Sequence, residues 1–298
     1  MIKYFIGPMS KNIVDSILEF TNETGIQIGL IPSRRQVDWS GGYVNNWTTE
    51  QFSSYARSLT LVRDHGGPGQ GYIEDDGYRS LEEDCKHFNV IHIDPWKRYP
   101  EYSQGLKWTV DMIKFCHSKN PSICYEVGTE ESIRKFTYAE LRMLLKDLSL
   151  MLTKDVFSKI KYLVVQSGTS LRGNNNIGEY DKGRLLNMVS VARDYKLLSK
   201  EHNGDYIPVS LIREKMSLGL DCINIAPEFG LIETRTYLQN IEDDKILENF
   251  WKVCFESRRW EKWVDASFEP FTQKIDLINI CGHYVLSDDK FISLVKSK

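Results

Sequence analysis

Several positions along the chain place an acid or an imidazole directly after a short apolar segment. The sharpest case is Asp64-His65, which follows the apolar segment Leu59–Val62 and precedes the glycine-rich turn 66–71. Charged and imidazole groups at the end of a buried strand are unfavourable unless they are paired or metal-bound. Glycine and proline in the turn let the backbone bend sharply and leave room for a ligand. This stretch therefore predicts a reactive site, and the alternative is a plain strand exit with a capping aspartate.

The same pattern recurs after the later apolar segments. His92 and Asp94 are two residues apart, so they share one face of a strand. Asn279, Cys281 and His283 share a face by the same rule. Polar residues also end the other segments: Arg34 and Asp38, Glu126, Gln166, Asn224 and Glu228.

These residue types allow metal and proton chemistry together. His65, His92 and His283, with Glu126, have the donor atoms of a zinc site, with manganese or cobalt as alternatives. We predict a divalent metal there because the histidines occur as a cluster, although each histidine taken alone is more often an ordinary core residue than a ligand. Carboxylates near such a centre serve as acids and bases. The candidates for proton transfer are Asp64, Asp94 and Glu126. His87 and His117 are expected at the surface, and His202 reaches the site only if its loop folds over it.

Two segments could bind a phosphate group. The loop 168–174 offers hydroxyls, backbone N–H groups and the guanidinium of Arg172. Ser33-Arg34-Arg35 is the second candidate, and for both segments a solvated loop with ion pairs is the alternative. The residues expected to bind substrate are Arg34, Gln166, Gly168, Thr169, Arg172, Asn224 and Glu228.

Eight short apolar segments alternate with helical patterns and must position these residues. Continuous apolarity is typical of parallel strands covered on both faces. Eight strand–helix units in about 250 to 300 residues predict an α/β fold, a single (β/α)8 TIM barrel over residues 1–298. An open doubly wound sheet is the alternative, but no GxGxxG follows the first strand. The predicted strands are Tyr4–Ile6, Ile26–Ile31, Leu59–Val62, Asn89–Asp94, Ser122–Gly128, Lys161–Gln166, Cys222–Ala226 and Ile275–Tyr284.

Composition excludes several classes of protein. The 298 residues carry a net charge of -3 with both signs mixed, which argues against a nucleic-acid or membrane-surface partner. No apolar run approaches the ~20 residues of a membrane span. The six cysteines lack CxxC spacing, so we expect free thiols, a reducing compartment and a cytoplasmic protein. The aromatic stretch from Trp251 to Trp263 predicts packing or an oligomer contact.

Four motifs resemble one known family. They are Arg63-Asp64-His65-Gly66-Gly67-Pro68, Ile91-His92-Ile93-Asp94, Tyr125-Glu126-Val127-Gly128-Thr129-Glu130 and Val164-Val165-Gln166-Ser167-Gly168-Thr169. Over about residues 26–230 they resemble the class II ketose-bisphosphate aldolase superfamily, and most closely the accessory, non-catalytic subunit branch of the tagatose-bisphosphate aldolases. The resemblance implies a barrel that binds a phosphorylated ketose or triose.

The resemblance also implies roles for individual residues. Asp64 matches the acid/base of the catalytic branch, His65 matches a ligand of its divalent metal, and Glu126 matches its fifth-strand glutamate. The catalytic branch has a second histidine in the loop after the sixth strand, where this chain has Ser170-Leu171-Arg172. It has a third after the seventh strand, which the strand prediction aligns with Ala226-Pro227-Glu228.

Three functions are therefore compatible with the sequence. The first is a metal-assisted enzyme that cleaves, condenses or epimerises a phosphorylated sugar, with Asp64 moving the proton, helped by Glu126. The second is a catalytically silent barrel that stabilises a partner aldolase subunit, and the missing histidines favour it. The third is a metal-free sugar-binding barrel. A homo-oligomer is compatible with the first two.

Overall fold

Eight parallel strands close into a barrel in the computed structural model, which describes residues 2–296. The closed sheet confirms the (β/α)8 barrel and excludes the open doubly wound alternative. Around the barrel the strands run in the order β1, β2, β3, β4, β5, β6, β9, β10. Their bounds are β1 Tyr4–Ile6, β2 Gly29–Leu30, β3 Thr60–Gly66, β4 Val90–Ile93, β5 Cys124–Val127, β6 Ile160–Val165, β9 Leu198–Glu201 and β10 Cys222–Ile225. A small hairpin of β7 Leu171–Arg172 and β8 Asn175–Asn176 lies outside the barrel.

Helices cover the outside of the barrel. Two of the helices begin at a capping box, which Thr48 and Thr137 each form with the residue three positions later. The helices are α1 Lys11–Thr24, α2 Thr49–Tyr55, α3 Tyr78–His87, α4 Tyr102–Lys119, α5 Tyr138–Met151, α6 Lys154–Phe157, α7 Lys182–Asp194, α8 Val209–Ser217, α9 Pro227–Asn240, α10 Asp244–Ser257, α11 Lys274–Cys281 and α12 Asp289–Phe291. Among the residues described, no helix is both long and apolar enough to span a bilayer.

Seven of the eight predicted strands are confirmed, and the eighth is wrong. The segment predicted as the last strand, Ile275–Tyr284, forms α11 and a short 3-10 turn. Its apolar side chains pack against α10 instead of a sheet. The missing strand is β9, which the sequence prediction placed within a helical region. Cys222–Ile225 is therefore the eighth barrel strand and β9 is the seventh.

The barrel interior is apolar at the bottom and polar at the top. Phe5, Ile31, Val62, Val90, Tyr162 and Cys222 form one buried cluster. Two residues further along β3, β4, β5 and β10, the same inward face carries Asp64, His92, Glu126 and Asn224. Because side chains alternate along a strand, these groups lie one layer nearer the carboxyl end of the barrel. That end is where enzymes of this architecture carry their active sites.

Arg63 holds the exit of β3 in place beneath this polar layer. Its side chain is fully buried, and its guanidinium contacts both carboxylate oxygens of Asp84 at 2.8 and 2.7 Å. The same group donates to the carbonyls of Pro32 and Val37, which follow β2. Arg63 therefore ties β3 to the loop after β2 and to helix α3 on the outside of the barrel.

The C-terminal helices form a second packed unit against the rim. Residues of α10, α11 and α12 share one hydrophobic cluster, in which Trp251 stacks on Phe255 and Phe255 stacks on Trp260. The aromatic stretch thus packs within the chain. The six cysteines are free thiols.

Candidate metal centre and active-site pocket

A bulge near the end of β3 brings two consecutive residues to the site. The register between β3 and β4 shifts between Arg63 and Gly66, and His65 has a φ of 47°. A left-handed backbone is unfavourable for a residue with a side chain, and such strain is found at functional sites. An undistorted strand would send Asp64 and His65 to opposite faces. The bulge instead turns both toward the barrel axis.

Three imidazoles form a triangle at the carboxyl end of the barrel. They are His65 on β3, His92 on β4 and His202 directly after β9. Their ring centroids are 5.2 Å apart for His65 and His92, 5.4 Å for His65 and His202, and 4.9 Å for His92 and His202. His92 and His202 are buried, and the His65 side chain is 14% exposed.

Each imidazole has one ring nitrogen bound to an oxygen on the outer side of the triangle. His65 Nδ1 lies 2.6 Å from Asp94 Oδ2, and His202 Nε2 lies 2.7 Å from Glu126 Oε1. His92 Nε2 lies 3.0 Å from the carbonyl of Gly128. Acceptors in these positions fix the ring orientation and the tautomer, and they accompany nearly all histidines that bind metals.

The other three ring nitrogens converge on one carboxylate oxygen. Asp64 Oδ1 lies 3.5 Å from His202 Nδ1, 3.6 Å from His65 Nε2 and 3.9 Å from His92 Nδ1. This oxygen is buried and has no hydrogen-bond partner. His92 Nδ1 also faces the backbone N–H of His65 at 3.3 Å. Imidazole nitrogens beside a carboxylate are donor types that suit zinc, manganese or cobalt.

The potential metal-binding groups of the structure all lie in this cluster, and they share residues with one another. Within residues 2–296, three sets of potential ligands have donor atoms within 4.8 Å of one another. They are Asp64 with His65 and His202, His65 with His92 and Asp94, and His92 with Glu126 and His202.

Electrostatics favour the charged forms of Asp64 and His65. Burial opposes ionisation of Asp64, but His65, His92 and His202 outweigh it and lower the pKa of Asp64 to about 2. Burial also disfavours a charged His65, yet Asp64, Asp94 and Glu130 raise its pKa well above the usual value. Asp64 is therefore a carboxylate at neutral pH, able to accept a proton. A metal ion entering the centre must displace the proton of His65.

Glu126 lies between the centre and a buried lysine. Its side chain is fully buried, with Oε2 2.5 Å from Lys200 Nζ and Oε1 on His202. Burial opposes its ionisation, but Lys200, His92 and His202 lower the pKa of Glu126 well below the usual range. Lys200 Nζ rests 3.9 Å from the ring centroid of Phe5 and 4.5 Å from that of Tyr162. Glu126 therefore orients His202 and has no access to a substrate.

A cavity of about 290 Å³ opens above the centre. Asp64, 20% exposed, and His65 form its floor, and Glu130 joins them with Oε2 3.5 Å from His65 Nε2. Burial opposes ionisation of Glu130, but His65 lowers its pKa to about 2. The walls come from the loops after several strands and from the C-terminal unit: Met9, Ser33, Arg35, Gln36, Tyr43, Gln70, Lys97, Ile133, Leu171, Asn203, Ala226, Pro227, Lys262, Trp263 and Tyr284.

The structure places several predicted substrate-binding residues elsewhere. Arg34 is buried in ion pairs with Asp38 and Asp75, and Gln166 bonds to backbone groups of Phe136, Thr129 and Arg134. Arg172 pairs with Asp265 on the surface. Gly168 and Thr169 line a separate outer groove together with Lys135, Lys182 and Arg184.

Asn224 and Glu228 lie near the barrel rim in different environments. Asn224 is buried on the inward face of β10, and neither its amide nitrogen nor its amide oxygen has a partner. An unpartnered buried amide suits a ligand or water. Glu228 accepts a hydrogen bond from the backbone N–H of Tyr206.

His283 does not join the other two histidines predicted as metal ligands. It follows α11 rather than a strand, packs beside Tyr43, Gly230 and Tyr284, and has no hydrogen-bond partner. Burial, with the charges of Lys262 and Arg259, lowers its pKa to about 3, so it is neutral. Asp94 faces the centre, but its carboxylate bonds to His65, Thr129 and the Trp96 backbone. His87 and His117 lie half-buried on α3 and α4.

Glu130 was not predicted as a site residue, and His202 was predicted to reach the site only through its loop. A signal for His202 was its two-residue spacing from Lys200, which places both on one face of a strand. For Glu130 the signal was its position four residues after Glu126, in the loop that follows β5.

The fold is shared with enzymes of sugar metabolism. No protein-family profile and no curated protein matches the sequence. Among solved structures, the chain is similar to a probable tagatose 6 phosphate kinase from Sinorhizobium meliloti 1021, with 16% identity over 99% of this chain and 87% of that one and a TM-score of 0.73. It is also similar to the fructuronate-tagaturonate epimerase UxaE from Cohnella laeviribosi, with 9% identity, 99% and 74% coverage, and a TM-score of 0.65.

A third similar structure is the YdjI aldolase from Escherichia coli K12, with 14% identity, coverage of 100% of this chain and 93% of that chain, and a TM-score of 0.56. At these identities the likeness is one of fold. It confirms, at that level, the resemblance to class II aldolase-like barrels.

Proposed function

We propose that the protein is a metal-assisted enzyme that acts on a phosphorylated sugar, by aldol cleavage and condensation or by epimerisation. The observation that carries the proposal is the convergence of three imidazole nitrogens on the unpartnered oxygen of Asp64. Aldolases and an epimerase share the fold, which supports this choice of reaction.

The donor set fits a divalent metal. His65, His92 and His202 would hold the ion, with Asp94, the Gly128 carbonyl and Glu126 orienting the three rings. When bound, such an ion polarises a carbonyl and stabilises the negative charge of an enediolate.

Asp64 is the group placed to move the proton. It is ionised at neutral pH and opens to the cavity, so it can accept a proton from a hydroxyl or from a carbon beside a carbonyl. In aldol cleavage Asp64 takes the hydroxyl proton as the carbon–carbon bond breaks, and a proton is then returned to carbon. Glu130 is the second cavity carboxylate, and Asn224 is a candidate to bind a substrate oxygen.

A catalytically silent barrel that stabilises a partner aldolase is the second candidate. The loop after the sixth strand supports it, because Ser170-Leu171-Arg172 stands where the catalytic branch has a histidine. The end of the seventh strand no longer supports it, since β9 is followed directly by His202. A silent subunit has no need to retain a metal, so metal content separates the two candidates.

We expect one equivalent of divalent metal in protein purified without chelators. His202→Gln should lose that metal because it removes one of three nitrogen donors. His283→Gln, the matched control, should keep it because His283 lies outside the donor cluster. Elemental analysis of the three proteins, with thermal melting to check folding, measures this. Wild-type protein that stays metal-free after incubation with Zn²⁺, Mn²⁺ and Co²⁺ would contradict the proposal and favour the silent barrel.

A further inference from the structure

Three cationic side chains from separate parts of the chain line the cavity above Asp64. Arg35 follows β2, Lys97 follows β4, and Lys262 lies in the 3-10 turn after α10. Lys262 also lies against aromatic rings, with Nζ 4.4 Å from the ring centroid of Trp263 and 5.5 Å from that of Tyr284. The C-terminal unit thus contributes a positive charge to a cavity that the barrel loops otherwise form.

None of the three cations has a carboxylate partner within residues 2–296. The cationic residues next to Arg35 and Lys97 in the sequence do have carboxylate partners. Arg34, beside Arg35, pairs with Asp38 and Asp75, and Arg98, beside Lys97, pairs with Glu74. The cations that point away from the cavity thus form ion pairs. Arg35, Lys97 and Lys262 form none among the described residues, although they share the cavity with the carboxylates of Asp64 and Glu130.

The three cations act on one another. Burial, followed by the charges of Arg35, Lys97 and Arg259, lowers the pKa of Lys262 to about 8. Burial and Arg35 likewise lower the pKa of Lys97, and the charges of Asp94, Glu74 and Glu130 oppose that shift only in part. Like charges held together without an ion-pair partner repel one another, and a bound anion would relieve the repulsion.

We propose that Arg35, Lys97 and Lys262 bind the phosphate group of the substrate, with its carbon chain directed toward Asp64 and the three histidines. This inference rests on the proposed function. It places the anion site in the cavity above Asp64 rather than at Arg34, Arg172 or the loop 168–174. A phosphate monoester carries about -1.5 to -2 charges at pH 7 and offers three acceptor oxygens. A carboxylate carries one charge and leaves two of the cations unbalanced. The cavity of about 290 Å³ suits a small sugar phosphate.

Calorimetric titration with inorganic phosphate at pH 7.5 tests the site. Lys97→Met and Lys262→Met should each weaken phosphate binding about tenfold, the loss expected for one hydrogen bond to a charged group. Lys97→Arg should retain most of the affinity because it keeps the charge. Lys107→Met is the matched control, since Lys107 is exposed on α4 and pairs with Asp111. Acetate at equal ionic strength is the carboxylate probe and should bind more weakly.

Unchanged phosphate affinity in both Lys97→Met and Lys262→Met would overturn the site, as would absence of phosphate binding to wild-type protein. Acetate that binds as tightly as phosphate would overturn the assignment to phosphate. Metal content measured on the same samples separates the two proposals. Bound metal without phosphate binding defeats this inference alone, and phosphate binding without metal defeats the proposed enzyme while leaving the anion site.

Discussion

Asp64→Asn should slow proton exchange at the carbon beside a carbonyl by a factor of about 10²–10⁴ while leaving the metal in place. The amide has nearly the same shape as the carboxylate but cannot accept the proton. The three imidazoles keep their own acceptors on Asp94, Gly128 and Glu126, so the metal donors stay oriented. The reporter is loss of the C–H signal of dihydroxyacetone phosphate in D₂O, followed by NMR. This exchange measurement does not require the second substrate of the aldol reaction to be known.

The comparison protein for this experiment is Asp111→Asn. Asp111 is exposed on α4 and contacts Lys107 far from the cavity, so its exchange rate should equal that of the wild type. Glu130→Gln identifies the alternative base, because Glu130 also lies on the cavity floor. An exchange rate in Asp64→Asn equal to that of the wild type, with metal retained, would remove Asp64 from the proton transfer. Loss of metal in Asp64→Asn would show that it holds the ion instead.

The barrel could be predicted from the sequence because seven strands lie in short segments in which apolar residues predominate. β9 could not be recognised in this way because each of its faces carries a buried charge. Lys200 faces inward and pairs with Glu126, whereas Glu201 faces outward and pairs with Lys215. These partners are distant in sequence, so the segment looks polar until the fold is known. The segment 275–284 gave the opposite error, since a short apolar run fits a buried helix as well as a strand.

The wrong assignment of the eighth strand also explains why His283 was predicted as a metal ligand. Once β9 is recognised as the seventh strand, His202 is the residue that directly follows it. His283 was selected only because its segment was predicted to be a strand. His65 and His92 lie in the cluster because the strands that carry them were predicted in the correct places. The bulge that turns His65 inward depends on pairing between β3 and β4, which the sequence does not display.

The sequence shows the charges of Arg34 and Arg35 but not the directions of their side chains. Arg34 and Arg35 are adjacent, and only the backbone conformation decides which of them faces the cavity. Arg34 turns toward Asp38 and Asp75, and Arg35 lines the cavity. Lys262 is 227 residues beyond Arg35 in the sequence. Its place in the cavity follows from packing of the C-terminal helices, which no local pattern describes.

Glu126→Gln should lower both metal affinity and stability, because one carboxylate serves two partners. It accepts from His202 on one oxygen and from Lys200 on the other. The variant leaves Lys200 buried without a counter-charge, which costs about 3–5 kcal/mol of folding free energy. It also weakens the acceptor that orients His202, which lowers metal affinity about 10–100-fold. Denaturant unfolding of the metal-free protein and calorimetric metal titration measure the two effects separately.

Glu201→Gln provides a closely matched control. Glu201 is also fully buried, and its Oε2 lies 2.6 Å from the buried Lys215, but it faces away from the metal centre. It should lose a similar amount of stability and keep its metal affinity. The double variant Glu126→Gln/Lys200→Met removes the unbalanced charge, so stability should recover in part while metal affinity stays low. If Glu126→Gln and Glu201→Gln bind metal equally well, Glu126 contributes to folding stability and not to metal affinity. If the double variant regains metal affinity, the charge of Lys200 rather than the orientation of His202 controls the centre.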